Sequence, residues 1–122
     1  MKNPSIGVIG LGFVGLTLAV VNAKKGFNTI AMDVNKTKIE NYKKSNLDFF
    51  EPKLDYYSKQ SIKKKKIFFT NNFEDISKAD IIFVTVGTPS LKNGQINLSN
   101  LKSVILKLKK LFKNKKSKHL IV

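Results

Sequence analysis

Ten residues near the amino terminus, Ile6-Gly7-Val8-Ile9-Gly10-Leu11-Gly12-Phe13-Val14-Gly15, constrain this chain more than any other segment. They read as a buried strand that runs into a glycine-rich turn and on into a helix. Each turn glycine has its own task. Gly10 permits the tight exit from the strand, Gly12 leaves the backbone open to a bound group, and Gly15 lets the helix pack on the strand. Two further apolar runs end in similar punctuation. Asp33 closes Thr29-Ile30-Ala31-Met32, and Val86-Gly87-Thr88-Pro89 closes the run from Asp80 to Thr85. In a parallel sheet all three ends fall on the carboxyl edge, where such sheets take ligands.

Strand and helix signals alternate along the chain, with no internal repeat and no interdomain linker. The pattern predicts strands over residues 5–10, 28–33, 67–70 and 81–86. It predicts a helix over 13–25 that buries Leu16, Ala19, Val20 and Ala23, with Gly26 as its left-handed cap. A second helix, capped by Asn35, runs through Lys44 and buries Ile39 and Tyr42. Pro52 is placed as the first residue of a third helix, and residues 75–78 as one helical turn. Lys92-Asn93-Gly94 marks a turn. A last helix from Asn97 or Ser99 carries Leu101, Val104, Ile105, Leu108, Leu111 and Phe112 on one face and its lysines on the other. His119 opens a fifth strand, inside which the chain stops. The expected fold class is therefore α/β: a Rossmann-type doubly wound parallel sheet, truncated in its fifth strand, in a single domain of residues 1–122.

The formal charge of +15 invites a nucleic-acid reading, but its chemistry argues otherwise. All 23 basic residues are lysine, and none is the arginine whose planar fork reads guanine and grips phosphate. The run Lys63 to Lys66 reads as a solvated loop. With no cysteine, the chain has no disulfide framework, thiolate metal site or thiol nucleophile. No His, Asp and Glu cluster has metal-ligand spacing, and the lone His119 reads as a core or surface residue. The apolar run from Ile6 to Val21 followed by Val21-Asn22-Ala23 resembles a signal peptide. The glycines at phosphate-turn spacing favour a folded strand and helix instead. No segment is expected to span a membrane, and a cytoplasmic location is expected.

The three strand ends fit one ligand. N–H groups of Phe13 and Val14 at a helix start, with its positive dipole end, would face a pyrophosphate. Asp33 follows Gly15 by 18 positions and would accept hydrogen bonds from the adenosine ribose while repelling a 2′-phosphate. NAD is therefore expected over NADP, with Lys36 and Lys38 softening the exclusion. Asp33 also reads as an ordinary cap for the next helix, and the two roles are compatible. Thr88 and Pro89 read as a second cofactor contact or as a plain turn.

Several of these segments, taken in order, are specific. Ile9 to Gly15, Asp33-Val34-Asn35 with Lys38, Phe50-Glu51-Pro52-Lys53-Leu54, and Val84 to Ser90 with Lys92-Asn93-Gly94 resemble the amino-terminal NAD-binding domain of the UDP-glucose/GDP-mannose dehydrogenase family. The resemblance implies an enzyme that oxidises the C6 alcohol of UDP-glucose, GDP-mannose or a related nucleotide sugar to the uronate with two NAD. It implies cofactor contacts from Gly10, Leu11, Gly12, Phe13, Val14, Gly15, Asp33, Lys38, Val86, Gly87, Thr88, Pro89 and Ser90. Phe13 replaces the family's Tyr, Asn97 its common Asp, and Lys53 the Gly of its Glu-Pro-Gly-Leu segment, which puts the shape of that loop in question. The family's cysteine nucleophile, nucleotide-sugar site and dimer-forming middle lie beyond this sequence. The chain is thus expected to be the cofactor half, inactive alone, of an enzyme that is a homo-oligomer at full length. A non-catalytic dinucleotide-binding module is the main alternative. A hydroxyacid dehydrogenase and a cationic nucleic-acid or membrane-surface protein rank below it.

Overall fold

The structure is a computed structural model and describes residues 2–122. Its centre is a five-stranded, wholly parallel sheet: β1 (Ile6–Ile9), β2 (Thr29–Met32), β3 (Ile67–Thr70), β4 (Ile81–Val84) and β5 (Leu120–Ile121), in the order β3-β2-β1-β4-β5. The chain winds outward from β1 through β2 to β3, then crosses back to β4 on the other side of β1. The sheet is therefore doubly wound, with a switch point between β1 and β4, as expected.

Helices cover both faces. α1 (Phe13–Lys24), α2 (Lys36–Lys43) and α3 (Leu54–Lys63) cover one, where Leu16, Ala19 and Val20 of α1 pack with Ile6, Val8, Ala31, Ile39, Tyr42 and Phe69. A 3-10 segment (Phe73–Lys78) and α4 (Ser99–Phe112) cover the other, around Ile9, Met32, Ile76, Ile82, Val104 and Leu108. β1 is buried along its whole length, as a central parallel strand flanked on both faces must be. At the opposite edge from the glycine turn, Ser5 N–H and Oγ donate to Asp80 Oδ2 at 2.7 and 2.9 Å, fastening β1 to β4. These bonds hold the Asp80 carboxyl below the usual carboxylate range.

Several sequence expectations need correction. Pro52 does not begin a helix. It lies in a turn closed by Leu54 N–H on the Glu51 carbonyl at 3.1 Å, and α3 starts at Leu54 because Lys53, in the left-handed region, cannot sit inside a right-handed helix. The predicted helical turn at 75–78 is longer and tighter, a 3-10 segment whose entry is capped by Asn72 Oδ1 on Glu74 N–H. Strand β4 ends at Val84 rather than Val86: Thr85 N–H still donates to the Ile9 carbonyl at 2.8 Å, and Val86 then passes over the glycine turn. In α4 only Val104 and Leu108 are buried. Ile105 is 53% exposed, because the helix lies against the sheet along a narrower stripe than the periodicity suggested.

Lys53 adopts φ 64°, a conformation suited to glycine, and its side chain is exposed. A non-glycine residue is strained there by about 1–2 kcal/mol, part of which glycine returns as chain entropy. Lys53→Gly is expected to stabilise the fold by about 0.5–1 kcal/mol in urea unfolding, with no change in slope.

Candidate functional site

The carboxyl ends of β1, β2 and β4 open into a single cleft of about 670 Å³. Its lining includes Gly10 to Val14, Asp33, Val34, Lys38 and Val86 to Thr88. The three motifs found separately in the sequence thus border one space.

The glycine turn is built by close approach. Gly10 has φ +93°, and a Cβ there would lie 2.9 Å from the Val86 backbone N and Cα. At position 15 a Cβ would fall 1.8 Å from the Gly10 carbonyl oxygen and 2.5 Å from Thr85 Oγ1. α1 therefore begins directly beneath the turn only because residue 15 has no side chain. Gly15 lies buried, a packing residue rather than part of the cleft wall. Above Gly12 the situation is reversed: a Cβ would meet nothing within 4 Å, so that face of the turn is open.

Phe13 and Val14 begin α1, and among the described residues their N–H groups meet no carbonyl, as first-turn amides must in the absence of a cap. Gly12 supplies no side-chain cap and the first turn holds no acid. The positive end of this helix dipole is left uncompensated and faces the cleft, an arrangement that favours an anion. The Phe13 ring packs on Phe49, with centroids 4.8 Å apart, which ties α1 to the loop before α3.

Asp33 stands half-buried at the end of β2. Its Oδ2 accepts from Leu11 N–H at 2.8 Å and its Oδ1 from Asn35 N–H at 2.9 Å. The cap of α2 is Asn35, whose Oδ1 accepts from Lys38 N–H at 3.0 Å, so Asp33 is not the helix cap. Each carboxylate oxygen retains lone-pair capacity for a further donor. The Leu11 amide is committed to Asp33, so Leu11 shapes the cleft rather than offering a free N–H to it. On its other side the Leu11 carbonyl lies 3.2 Å from the hydroxyl of Tyr42, which donates at 2.5 Å to Asp48 Oδ1. Burial, and then the bond to Asp48, push the Tyr42 hydroxyl well above the ordinary phenol range.

At the far side, Thr85 Oγ1 donates to the Gly10 carbonyl at 2.7 Å, and Asn100 Nδ2 donates to the Gly87 carbonyl at 3.1 Å. Val86, Gly87 and Thr88 line the cleft, whereas Pro89 and Ser90 lie outside its wall. Those two belong to a small loop pinned by the Ser90–Ile96 bridge and by Asn97 N–H on the Pro89 carbonyl at 2.7 Å. The sequence reading missed Phe73, Thr85, Asn100, Ser103 and Lys107, all part of the lining. The last three stand at i, i+3 and i+7 on α4 beside the buried Val104, a polar stripe that helical spacing reveals. Lys107 thereby departs from the expectation that the α4 lysines all face away. His119 is structural: its ring stacks on Phe112 at 4.1 Å, with Nδ1 2.7 Å from the Ala79 carbonyl oxygen. Among the described residues no three His, Cys, Asp or Glu side chains group as a metal site, and no helix is long and apolar enough to cross a membrane.

Comparison with known proteins places this architecture. Residues 4–122 match the UDP-glucose/GDP-mannose dehydrogenase family, NAD binding domain. The chain belongs to that family. It is 35% identical over 105 residues to the UDP-glucose 6-dehydrogenase of Rickettsia felis, covering 85% of this chain and 23% of that enzyme. It is 31% identical over 118 residues to the GDP-mannose 6-dehydrogenase of Pseudomonas savastanoi, covering 96% of this chain and 27% of the other. Among solved structures, a ternary complex of GDP-mannose dehydrogenase from Pseudomonas aeruginosa superposes with a TM-score of 0.91 at 29% identity, over 95% of this chain and 27% of that one. The UDP-glucose dehydrogenase of Pyrobaculum islandicum gives 0.92 at 26% identity, over 98% and 28%. The chain thus spans about a quarter of the length of these relatives and corresponds to their NAD-binding domain.

The Tyr42 bond makes a testable contribution. Tyr42→Phe is expected to cost about 1 kcal/mol at neutral pH. Because the folded state raises the Tyr42 pKa, this advantage is complete below the unfolded value of 10.0 and fades as pH rises beyond it. Urea midpoints of the two proteins should therefore converge above about pH 10, and a gap that stays constant there would contradict the assignment.

Proposed function

We propose that this chain is the cofactor-holding part of a nucleotide-sugar 6-dehydrogenase, with NAD lying across the carboxyl edge of the sheet. The observation that carries the reading is the single cleft that joins the open face of Gly12, the unpaired amides of α1 and the Asp33 carboxylate. The diphosphate would rest over Gly12 on the N–H groups of Phe13 and Val14. Asp33 would accept the adenosine ribose hydroxyls, with Lys38 beside them, while Val86, Gly87 and Thr88 flank the nicotinamide half. Pro89 and Ser90 would act by fixing the course of that loop, and Gly10, Leu11 and Gly15 by fixing the turn. This arrangement suits a dinucleotide because anionic and hydroxyl-rich parts each meet groups of matching chemistry in one continuous space.

Bound NAD would supply the hydride acceptor for oxidising the C6 alcohol of a nucleotide sugar to the uronate, two NAD being reduced per sugar. UDP-glucose, GDP-mannose and related sugars are the proposed substrate class, since the similar enzymes named above are dehydrogenases of UDP-glucose and GDP-mannose. The nucleophile and sugar-binding groups are assigned to portions of the enzyme outside these residues, and the complete enzyme is proposed to be a cytoplasmic homo-oligomer. What these residues themselves do is hold and orient the cofactor.

Calorimetric titration tests this reading. The protein is expected to take up NAD saturably at one site and to bind NADP more weakly. Asp33→Ala should weaken NAD by roughly ten- to a hundred-fold, the effect of losing charge-assisted hydrogen bonds, and narrow its lead over NADP. Gly12→Val should abolish uptake while leaving the circular dichroism unchanged, because the added side chain would project into open space. Equal affinity of the wild type for both cofactors, or uptake intact in Gly12→Val, would remove the reading.

A further inference from the structure

The loop between α2 and α3 carries an acid that the cofactor reading leaves without a role. Asp48 is half-exposed, and its two oxygens face different partners. Oδ1 accepts a hydrogen bond from the buried Tyr42 hydroxyl at 2.5 Å. Oδ2 lies 3.8 Å from Nζ of Lys38, whose side chain is 25% exposed and lines the adenosine end of the cleft beside Asp33. Tyr42 anchors this acid from below, since its ring is fully buried and its hydroxyl also abuts the Leu11 carbonyl at 3.2 Å. The Leu11 N–H is in turn held by Asp33 at 2.8 Å. One connected group of side chains thus sets both the carboxylate at the ribose position and the direction of the nearby lysine.

From this geometry we infer that Asp48 is a specificity-determining positioning residue: it engages the Lys38 ammonium, denies it to a 2′-phosphate and so keeps the site selective for NAD over NADP. The inference rests on the cofactor reading above. Lys38, unlike Lys36, lines the cleft that Asp33 borders, and it would welcome a 2′-phosphate because an ammonium on a long flexible stem can swing to an anion. The Asp48 carboxylate competes for that ammonium. Discrimination is then achieved partly by a group that withholds a cation from the wrong ligand without touching the right one. The Tyr42 bond keeps the acid in place, which a solvent-exposed loop carboxylate would otherwise not be.

Asp48→Asn isolates the charge, because an asparagine side-chain oxygen still accepts from Tyr42. The NADP-to-NAD ratio of Kd values, measured by calorimetry on the full chain, should fall by about 2- to 5-fold, the range for a partly exposed ion pair. In a Lys38→Met background the same substitution should leave the ratio unmoved, since the acid acts only by engaging that lysine. Asp48→Ala, which also removes the acceptor for Tyr42, should show the same fall in the ratio. A ratio unchanged in Asp48→Asn, or both cofactors weakened equally by Asp48→Ala, would reduce Asp48 to a loop anchor and overturn the inference while leaving NAD binding intact. A fall that persists without Lys38 would overturn the role of the lysine. Failure of the wild type to take up NAD at all would instead remove the cofactor reading, and this inference with it.

Discussion

The carbonyl of Gly10 and the Cα of Gly15 occupy a space that admits no Cβ between them, since one would sit 1.8 Å from that oxygen. Everything at the carboxyl edge follows from this approach. It brings the first turn of α1 directly under the end of β1, so that the unpaired amides of Phe13 and Val14 and the helix dipole aim into the cleft. It also sets the turn close enough to β4 for Thr85 to hold the Gly10 carbonyl and for Val86 to cross above it. A bulkier residue at position 15 would move the helix start and disperse these groups.

The second constraint is the treatment of Leu11. Its N–H is held by Asp33 of β2, and its carbonyl lies beside the hydroxyl of Tyr42 on α2. The turn is therefore fixed from the β2 side as firmly as Thr85 fixes it from the β4 side. This arrangement holds the glycine turn by hydrogen bonds on both sides. It also places a carboxylate with spare lone pairs within a turn's width of anion-seeking amides. A polar network of this kind has high stakes, because every member is partly desolvated and each lost partner leaves another exposed to cost.

Much of this was legible in the sequence because the decisive features are local. The glycines, the strand before them and the helix after them lie within ten residues, and Asp33 and Val86 to Thr88 each close an apolar run. Parallel pairing then brings the three ends together with no further information. What escaped notice depended on distant contacts. Tyr42 reads as core from its spacing, and nothing in its neighbours announces that its hydroxyl reaches a carbonyl 31 residues earlier. Asn100, Ser103 and Lys107 join the cleft because α4 crosses the sheet at an angle that periodicity alone does not fix. The start of α3 was misplaced for the opposite reason. Proline at a helix start is a sound local rule, but a left-handed lysine immediately after it overrides the rule. Ile105 fits the apolar stripe of α4 and yet is exposed, since period tells which residues share a face and not how wide a face is covered.

The central claim is that main-chain amides at the start of α1 receive the diphosphate of NAD. Amide chemical shifts recorded by 15N–1H correlation during an NAD titration test it most directly. Saturable shifts of Gly12, Phe13 and Val14 are expected, accompanied by Asp33 and Val86 to Thr88, with the Lys63 to Lys66 loop unmoved. Shifts confined to the lysine-rich surface, or glycine-turn amides that stay still while the ligand saturates elsewhere, would contradict it.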